Sequence, residues 1–395
     1  MQNSLAANQA LAEFSAKALY FLFFAAFAGY VSFLAVFYED IGLVGWQIGV
    51  LTSIPPLATL VVAPLWGAIA DATHKRRLIM VLGLIGNLGA VALISVTRSF
   101  QWLVVVIIAN VIVSAPVAPF LDGSVVDLLG DHQERYGRIR LWGAVGWGLS
   151  APIVGMLVDA WGLVWIFYIY IALMFVFLLV TYGLPMGGNG ERVQVWREMG
   201  ALMRNWQWLI FLLAVLISGT AGSIVTNYLF LHMNSLGIKG SVMGWALTVG
   251  TVSEIPVFFF ADTLIRRFGA RRVMLFALLA YIVRMLLYAV VISPIGTLSI
   301  QLIHGLTYPL MWSAAINYAA KTALPGLRAT AQSILSSTMG FGGVFGGLIG
   351  GMVYQASGSA RLFLYTSVAV FGAFILLVSL WRGNAQQPAA AREQP

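Results

Sequence analysis

The sequence has no cysteine, only four histidines, and 9% charged residues in a chain of 395. Without cysteine there can be no disulfide and no thiolate metal site, and compartment cannot be read from cysteine usage. The histidines are scattered and form no metal cluster. No Gly-rich phosphate loop occurs, so nucleotide-driven chemistry is not indicated. A nucleophile elbow and a His-Glu-x-x-His helix are also missing. The expectation is a protein that is not an enzyme and carries no cofactor. A soluble chain would hold about 25% charged residues. Here 60% of residues are hydrophobic and the mean hydropathy is +0.90. That composition describes an all-α integral membrane protein with many spans.

The net charge of +8 does not point to nucleic acid, because an excess of Lys and Arg is the ordinary mark of membrane topology. A span needs about 20 mostly apolar residues. Twelve such stretches are expected, near 15–38, 47–70, 77–97, 102–126, 139–160, 163–184, 207–232, 242–262, 271–292, 297–320, 329–354 and 361–381. With the N-terminus inside, 18 Lys/Arg fall on the cytoplasmic side, three outside, and Arg284 within a span. That bias sets the orientation and requires an even number of spans, with both termini cytoplasmic in the inner membrane. The first apolar run is a full span, so no cleavable signal is expected.

Residues 185–206 form the longest internal connection and divide the chain into bundles at 1–184 and 207–382. Within this linker, "VQVWREMGALM" reads as an interfacial helix. The tail, 383–395, is Ala/Gln/Pro-rich and reads as disordered.

The halves repeat. "PLWGAIADATHKRR" (64–77) and "VFFFADTLIRRFGARR" (257–272) each place an Asp at a helix end before a short basic loop, Asp71 and Asp262 lying 191 residues apart. Gly67, Asp71, Lys75 and Arg76 in one copy, and Asp262, Arg266 and Arg267 in the other, are candidates for a charged latch made differently in two conformations. Loop charge that only sets topology is the plainer alternative. These residues resemble the signature of the major facilitator superfamily, although the second copy has Phe258 where a Gly leads the motif. The resemblance implies two six-helix bundles rocking around a midplane site.

A charge at the bilayer centre costs roughly 2.5–3.5 kcal/mol and usually marks a pathway. Asp122, Glu254, Arg284 and His304 lie within spans, with Arg140 near the start of span five. Arg284 sits too far from either end of its span to snorkel easily. It needs an acid, and Glu254 is the one available well inside a span of the same half, so the two are expected to pair. His304 is the next candidate partner, and His232 is expected to be interfacial. A buried ion pair that only clips helices together is the alternative, though such pairs stabilise poorly.

In span five, "YGRIRLWGAVGWGLSAPIVG" (136–155) puts Arg140 and Trp147 seven residues apart, on one helix face. An indole to stack a ring and a guanidinium fork for hydroxyls would suit a sugar or a nucleoside. A positive-inside anchor and a packed Trp are the alternative. The stretch resembles span five of lactose permease and its oligosaccharide:proton symporter relatives. There the Arg, the Trp and an acid eighteen residues before the Arg bind sugar, which here corresponds to Arg140, Trp147 and Asp122. Glu254, Arg284 and His304 fall where that family has coupling residues. Thr307 stands where the family has a proton-carrying Glu. "SEIP" at 253–256, "HGLTY" at 304–308 and "LRATAQ" at 327–332 resemble the related phenylpropionate and nucleoside permeases.

Tyr30, Asn227 and Tyr308 complete the expected cavity lining. Span eleven carries two glycine rows, Gly342, Gly346 and Gly350 beside Gly343, Gly347 and Gly351, suited to close helix packing and to sliding of the halves. The resulting expectation is a monomeric, proton-coupled symporter. It would import a small polar or aromatic solute, with sugar, glycoside or nucleoside favoured over aromatic acid. Asp122, Glu254, Arg284 and His304 would couple protons. Asp122, Arg140, Trp147, Glu254 and His304, with the cavity lining, would bind the solute. A proton/solute antiporter and a non-transporting nutrient sensor are the rivals.

Overall fold

A computed structural model describes residues 2–130, 132–184, 205–323 and 327–385. The interfacial helix, most of the 185–206 linker and residues 386–395 lie outside them. Ten described helices are long and apolar enough to cross a membrane. One of them, 52 residues long, is two spans that meet at Gly358, where φ is 78° and only glycine turns without strain. Pro294–Ile300 and His304–Thr322 together form one further, interrupted span.

The first six spans are Gln2–Asp40, Gly45–Thr73, Arg76–Val96, Phe100–Leu129, Tyr136–Trp161 and Trp165–Gly183. Spans seven to nine are Trp206–Ser235, Gly240–Phe268 and Ala270–Val290. Span ten is the interrupted one. Spans eleven and twelve are the arms of Arg328–Ala385 on either side of Gly358. The described residues form no strand. The fold is therefore all-α, with six spans before the linker and six after it.

Two spans depart from the uniform helices expected of them. Span four breaks between Ser114 and Val117, where Pro116 has no N–H to give the Ile112 carbonyl, which accepts from Trp66 Nε1 at 2.6 Å instead. Span ten breaks at the tight turn Gln301–Ile303. Pro309 lies farther along, inside the helix that follows, and leaves the Gly305 carbonyl without its i+4 donor. The break makes His304 the first residue of a helix rather than an interior one.

Span one packs on spans five and six, span seven on span eleven, and span nine on spans ten and eleven to twelve. Between the halves, span two meets span eleven and span five meets span eight. The two glycine rows of span eleven serve different neighbours. Gly342 and Gly346 lie against Gly219, Thr220 and Ser223 of span seven, whereas Gly347 and Gly351 lie against the backbone of Gly45 and Gly49 in span two. A Cβ on Gly351 would come within 2.4 Å of the Gly45 carbonyl oxygen.

Hydrogen bonds join the halves toward one end. The Trp46 amide donates to Gln355 Oε1 at 3.0 Å and the Tyr354 hydroxyl to Glu39 at 2.5 Å. Asp159 of span five accepts from the amides of Gly240 and Ser241, at 2.6 and 2.9 Å, at the start of span eight. Thr248 donates to the Gly148 carbonyl at 2.6 Å. No ion pair crosses between the halves among the described residues.

Candidate functional site

Two arginine-centred clusters occupy the two halves. In the first, Asp122 Oδ1 accepts from three donors: the Tyr20 hydroxyl, the Tyr136 hydroxyl at 3.0 Å and Arg140 Nη1 at 3.1 Å. Tyr136 lies one helical turn before Arg140 and also accepts from Nη1, at 3.0 Å. The Arg140 guanidinium rests over the rings of Tyr20 and Phe24, 6.0 and 5.9 Å from their centroids, a favourable cation–π geometry. Phe24 in turn meets Trp147 edge-on, at 6.5 Å. The Arg140 and Asp122 side chains are 47% and 42% exposed. Lipid would not tolerate them, so they face the opening between the halves. Only Nη1 of Arg140 is bonded, which leaves the rest of its fork free.

In the second cluster, Arg284 is 2% exposed. The direct pair with Glu254 expected from the sequence is not formed. Arg284 Nη1 instead meets His304 Nδ1 at 2.7 Å, and His304 Nε2 meets Glu254 Oε1 at 2.7 Å. A guanidinium only donates, so Nδ1 accepts and Nε2 carries the hydrogen. His304 is then a neutral tautomer relaying from the cation to the carboxylate. Arg284 also donates from Nη1 to Thr307 at 3.1 Å, from Nη2 to Gln301 Oε1 at 2.9 Å, and from Nε and Nη2 to the Tyr288 hydroxyl at 3.3 and 3.2 Å. All five of its N–H groups are thus used, each on a neutral acceptor.

The break in span ten sets this geometry. Ser253 Oγ accepts from the Gly305 amide at 3.0 Å, near the start of the helix that His304 opens. A Cβ on Gly305 would come 2.1 Å from the Ser253 carbonyl oxygen. The "SEIP" and "HGLTY" segments are therefore one contact, which holds Glu254 beside His304.

A cavity of about 450 Å³ lies against Arg284, His304, Tyr308 and Tyr281. A second, of about 660 Å³, extends into the N-terminal half and is bordered by Tyr30, Tyr38, Asn87, Asn110, Tyr170 and Asn227, among others. Ser223 and Thr226 line both. Tyr30, Asn227, His304 and Tyr308 of the expected set thus border the two spaces. Asp122 lies one turn beyond Ala118, which borders the larger one. Trp147 borders neither and meets the site through Phe24.

His232, near the end of span seven, is 3% exposed and bonded to Ser359 at 2.8 Å, beside the turn at Gly358. Other expectations need correction. Arg76 bonds Asp71 at 3.0 Å and also approaches Asp127 at 3.6 Å, so the first latch has a second acid that the motif did not indicate. Lys75 takes no part in that ion pair, and Gly67 makes no close approach to a neighbour. Asp262, Arg266 and Arg267 are exposed and form no ion pair among the described residues. The two copies therefore match in sequence but not in bonding. Gln301, Tyr288, Tyr20 and Tyr136 were not foreseen. Tyr136 and Tyr288 were findable, each lying four residues from its arginine.

Two helical bundles around adjoining cavities that carry a few polar groups, with a buried arginine beside one of them, are the architecture of a membrane transporter. Residues 14–365 match the model of the MFS_1-like family, and the chain belongs to that family, within the major facilitator superfamily. It is 28% identical to a maltose permease of Geobacillus stearothermophilus over 367 residues, 91% of this chain and 92% of the permease. It is 24% identical to a probable 3-phenylpropionic acid transporter of Escherichia coli strain K12, over 90% of this chain and 95% of that protein. The fold is similar to the crystal structure of the nucleoside transporter NupG (D323A mutant), with a TM-score of 0.85, 19% identity and coverage of 93% and 99%. The protein is thus a multi-pass membrane transporter of small molecules, and its relatives are transporters rather than enzymes.

Proposed function

We propose that the protein is a monomeric proton-coupled symporter of the inner membrane that imports a small, uncharged, hydroxyl-bearing solute such as a sugar, glycoside or nucleoside. The observation that carries this reading is the Arg284–His304–Glu254 line beside the central cavity. Glu254 is the proton carrier. Protonation of Glu254 removes the negative end of the line and weakens a charge-assisted bond to His304. The Glu254 side chain is 26% exposed, and its partner His304 borders the smaller cavity.

Solute binding falls to Arg140 and Asp122, which keep free hydrogen-bonding capacity at the opening. An aromatic acid fits less well at Arg284, because no N–H there is left for a carboxylate. With the basic loops cytoplasmic, the end joined through Asp159 and Gln355 is the outer one. The conformation is then inward-facing, with the Asp71–Arg76–Asp127 group on the open side.

The test uses everted membrane vesicles. Adding a transported solute should make the outside medium more alkaline, whereas acidification would mark an antiporter. Glu254→Gln should abolish this signal and uphill accumulation, each at least a hundredfold, yet retain solute counterflow in liposomes. Full uphill accumulation by Glu254→Gln would overturn the carrier assignment.

A further inference from the structure

The larger cavity is more than a vestibule. It enters the N-terminal bundle past spans one, two and four and ends on Asn87 of span three and Tyr170 of span six. No charged side chain lines it. Its end wall is a hydrogen-bonded series: the Tyr170 hydroxyl donates to Asn87 Oδ1 at 3.0 Å, and Asn87 Nδ2 donates to Asn110 Oδ1 at 2.8 Å. Asn87 is 1% exposed, so this series fixes the Asn110 amide from behind. The Asn110 Nδ2 group has no partner among the described residues and remains as a donor at the cavity wall.

Two further polar ends are unspent. The Tyr38 hydroxyl is buried with no hydrogen-bond partner, in a residue that is 0% exposed. Such a group costs about 1–3 kcal/mol to leave unpaired, which is unusual unless something else satisfies it. Tyr30 also borders the cavity, with no partner for its hydroxyl among the described residues. The same wall is aromatic. Phe23 and Phe27 have ring centroids 4.6 Å apart, Phe27 and Tyr170 5.5 Å, and Tyr30 and Tyr170 4.6 Å. Flat faces with a few fixed polar ends suit a flat ring that carries hydrogen-bond acceptors.

We infer that this lobe is a binding subsite for an uncharged planar ring, so the solute has two parts. The ring enters the lobe beside Asn110, Tyr30 and Tyr38. The hydroxylated part stays outside the lobe, past the shared wall of Ser223 and Thr226, where Arg140 and Asp122 would take its hydroxyls. A nucleoside or an aryl glycoside has this form, and a simple monosaccharide leaves the lobe without a ring. The inference rests on the proposed class of solute but not on proton coupling.

Binding to purified protein in detergent tests it, since no proton gradient is involved. Matched probes are 4-nitrophenyl and methyl glycosides of glucose and galactose, and uridine against ribose. In at least one pair the ring-bearing member should bind tenfold or more tightly. Asn110→Leu should remove that advantage and leave the ringless member unchanged, with Asn110→Gln restoring part of it. Tyr38→Phe, which leaves the ring packing in place, should reduce the advantage about threefold. If no pair shows a ring advantage, or if Asn110→Leu and Tyr38→Phe weaken both members equally, the lobe is not the ring's site. A ring advantage in a protein that fails the vesicle test would leave the subsite standing and remove the symport reading.

Discussion

Each half of the molecule holds an arginine, an acid and tyrosines, yet the two sets are built in opposite ways. Arg140 touches its acid directly, is half exposed, and keeps most of its fork free. Arg284 is buried, reaches its acid only through His304, and has no N–H to spare. An arginine with free donors can hold a ligand that comes and goes. An arginine whose donors all end on neutral groups is held in place, and its charge acts through the groups it orients. Under the proposed function, the contrast places recognition in the first half and coupling in the second.

The largest test of this contrast is Arg284→Met. It removes the buried cation and strands the acceptors on Tyr288, Gln301, Thr307 and His304. A loss of about 3 kcal/mol or more in stability is expected, read as a lower Tm in detergent, with uphill accumulation abolished. A variant that melts like wild type would end the distinction between the two arginines. Arg140→Lys is expected to do less, and differently. It keeps the charge but loses the planar fork, so solute affinity should fall about tenfold, or about 1.4 kcal/mol, with little change in Tm. Equal damage to Tm would mean that Arg140 is structural. The smallest effect is expected for Tyr288→Phe, which takes one hydroxyl from Arg284. A loss of about 1 kcal/mol in stability with unchanged solute affinity, measured by titration, would confine that residue to positioning. A drop in affinity would instead extend the binding region into span nine.

The spans, their pairing into halves and the burial of Arg284 inside the protein were all readable, because each follows from a strong penalty: apolar length, positive loops and a charge in lipid. The partner of Arg284 was not readable. Glu254 and His304 lie thirty residues before it and twenty after it, and spacing alone cannot say which of two neighbours stands closer. The turn at Gln301–Ile303 decides that, since it sets His304 between Arg284 and Glu254. The Tyr170–Asn87–Asn110 series was invisible for a different reason. Amides and tyrosines in spans are common and carry no charge that demands an explanation, so only packing reveals that three spans aim them at one point.

The contact of Asp159 with the amides of Gly240 and Ser241 has a consequence beyond closing one end. Lys239, which precedes span eight, offers no side-chain cap of its own. The first turn of that helix is therefore capped by a residue of the other half. A cap of this kind is worth about 1 kcal/mol, and it also places a carboxylate at the positive end of the helix dipole. Parting the halves at that end would uncap the helix, so one part of the transport barrier is the fraying of a single helical turn.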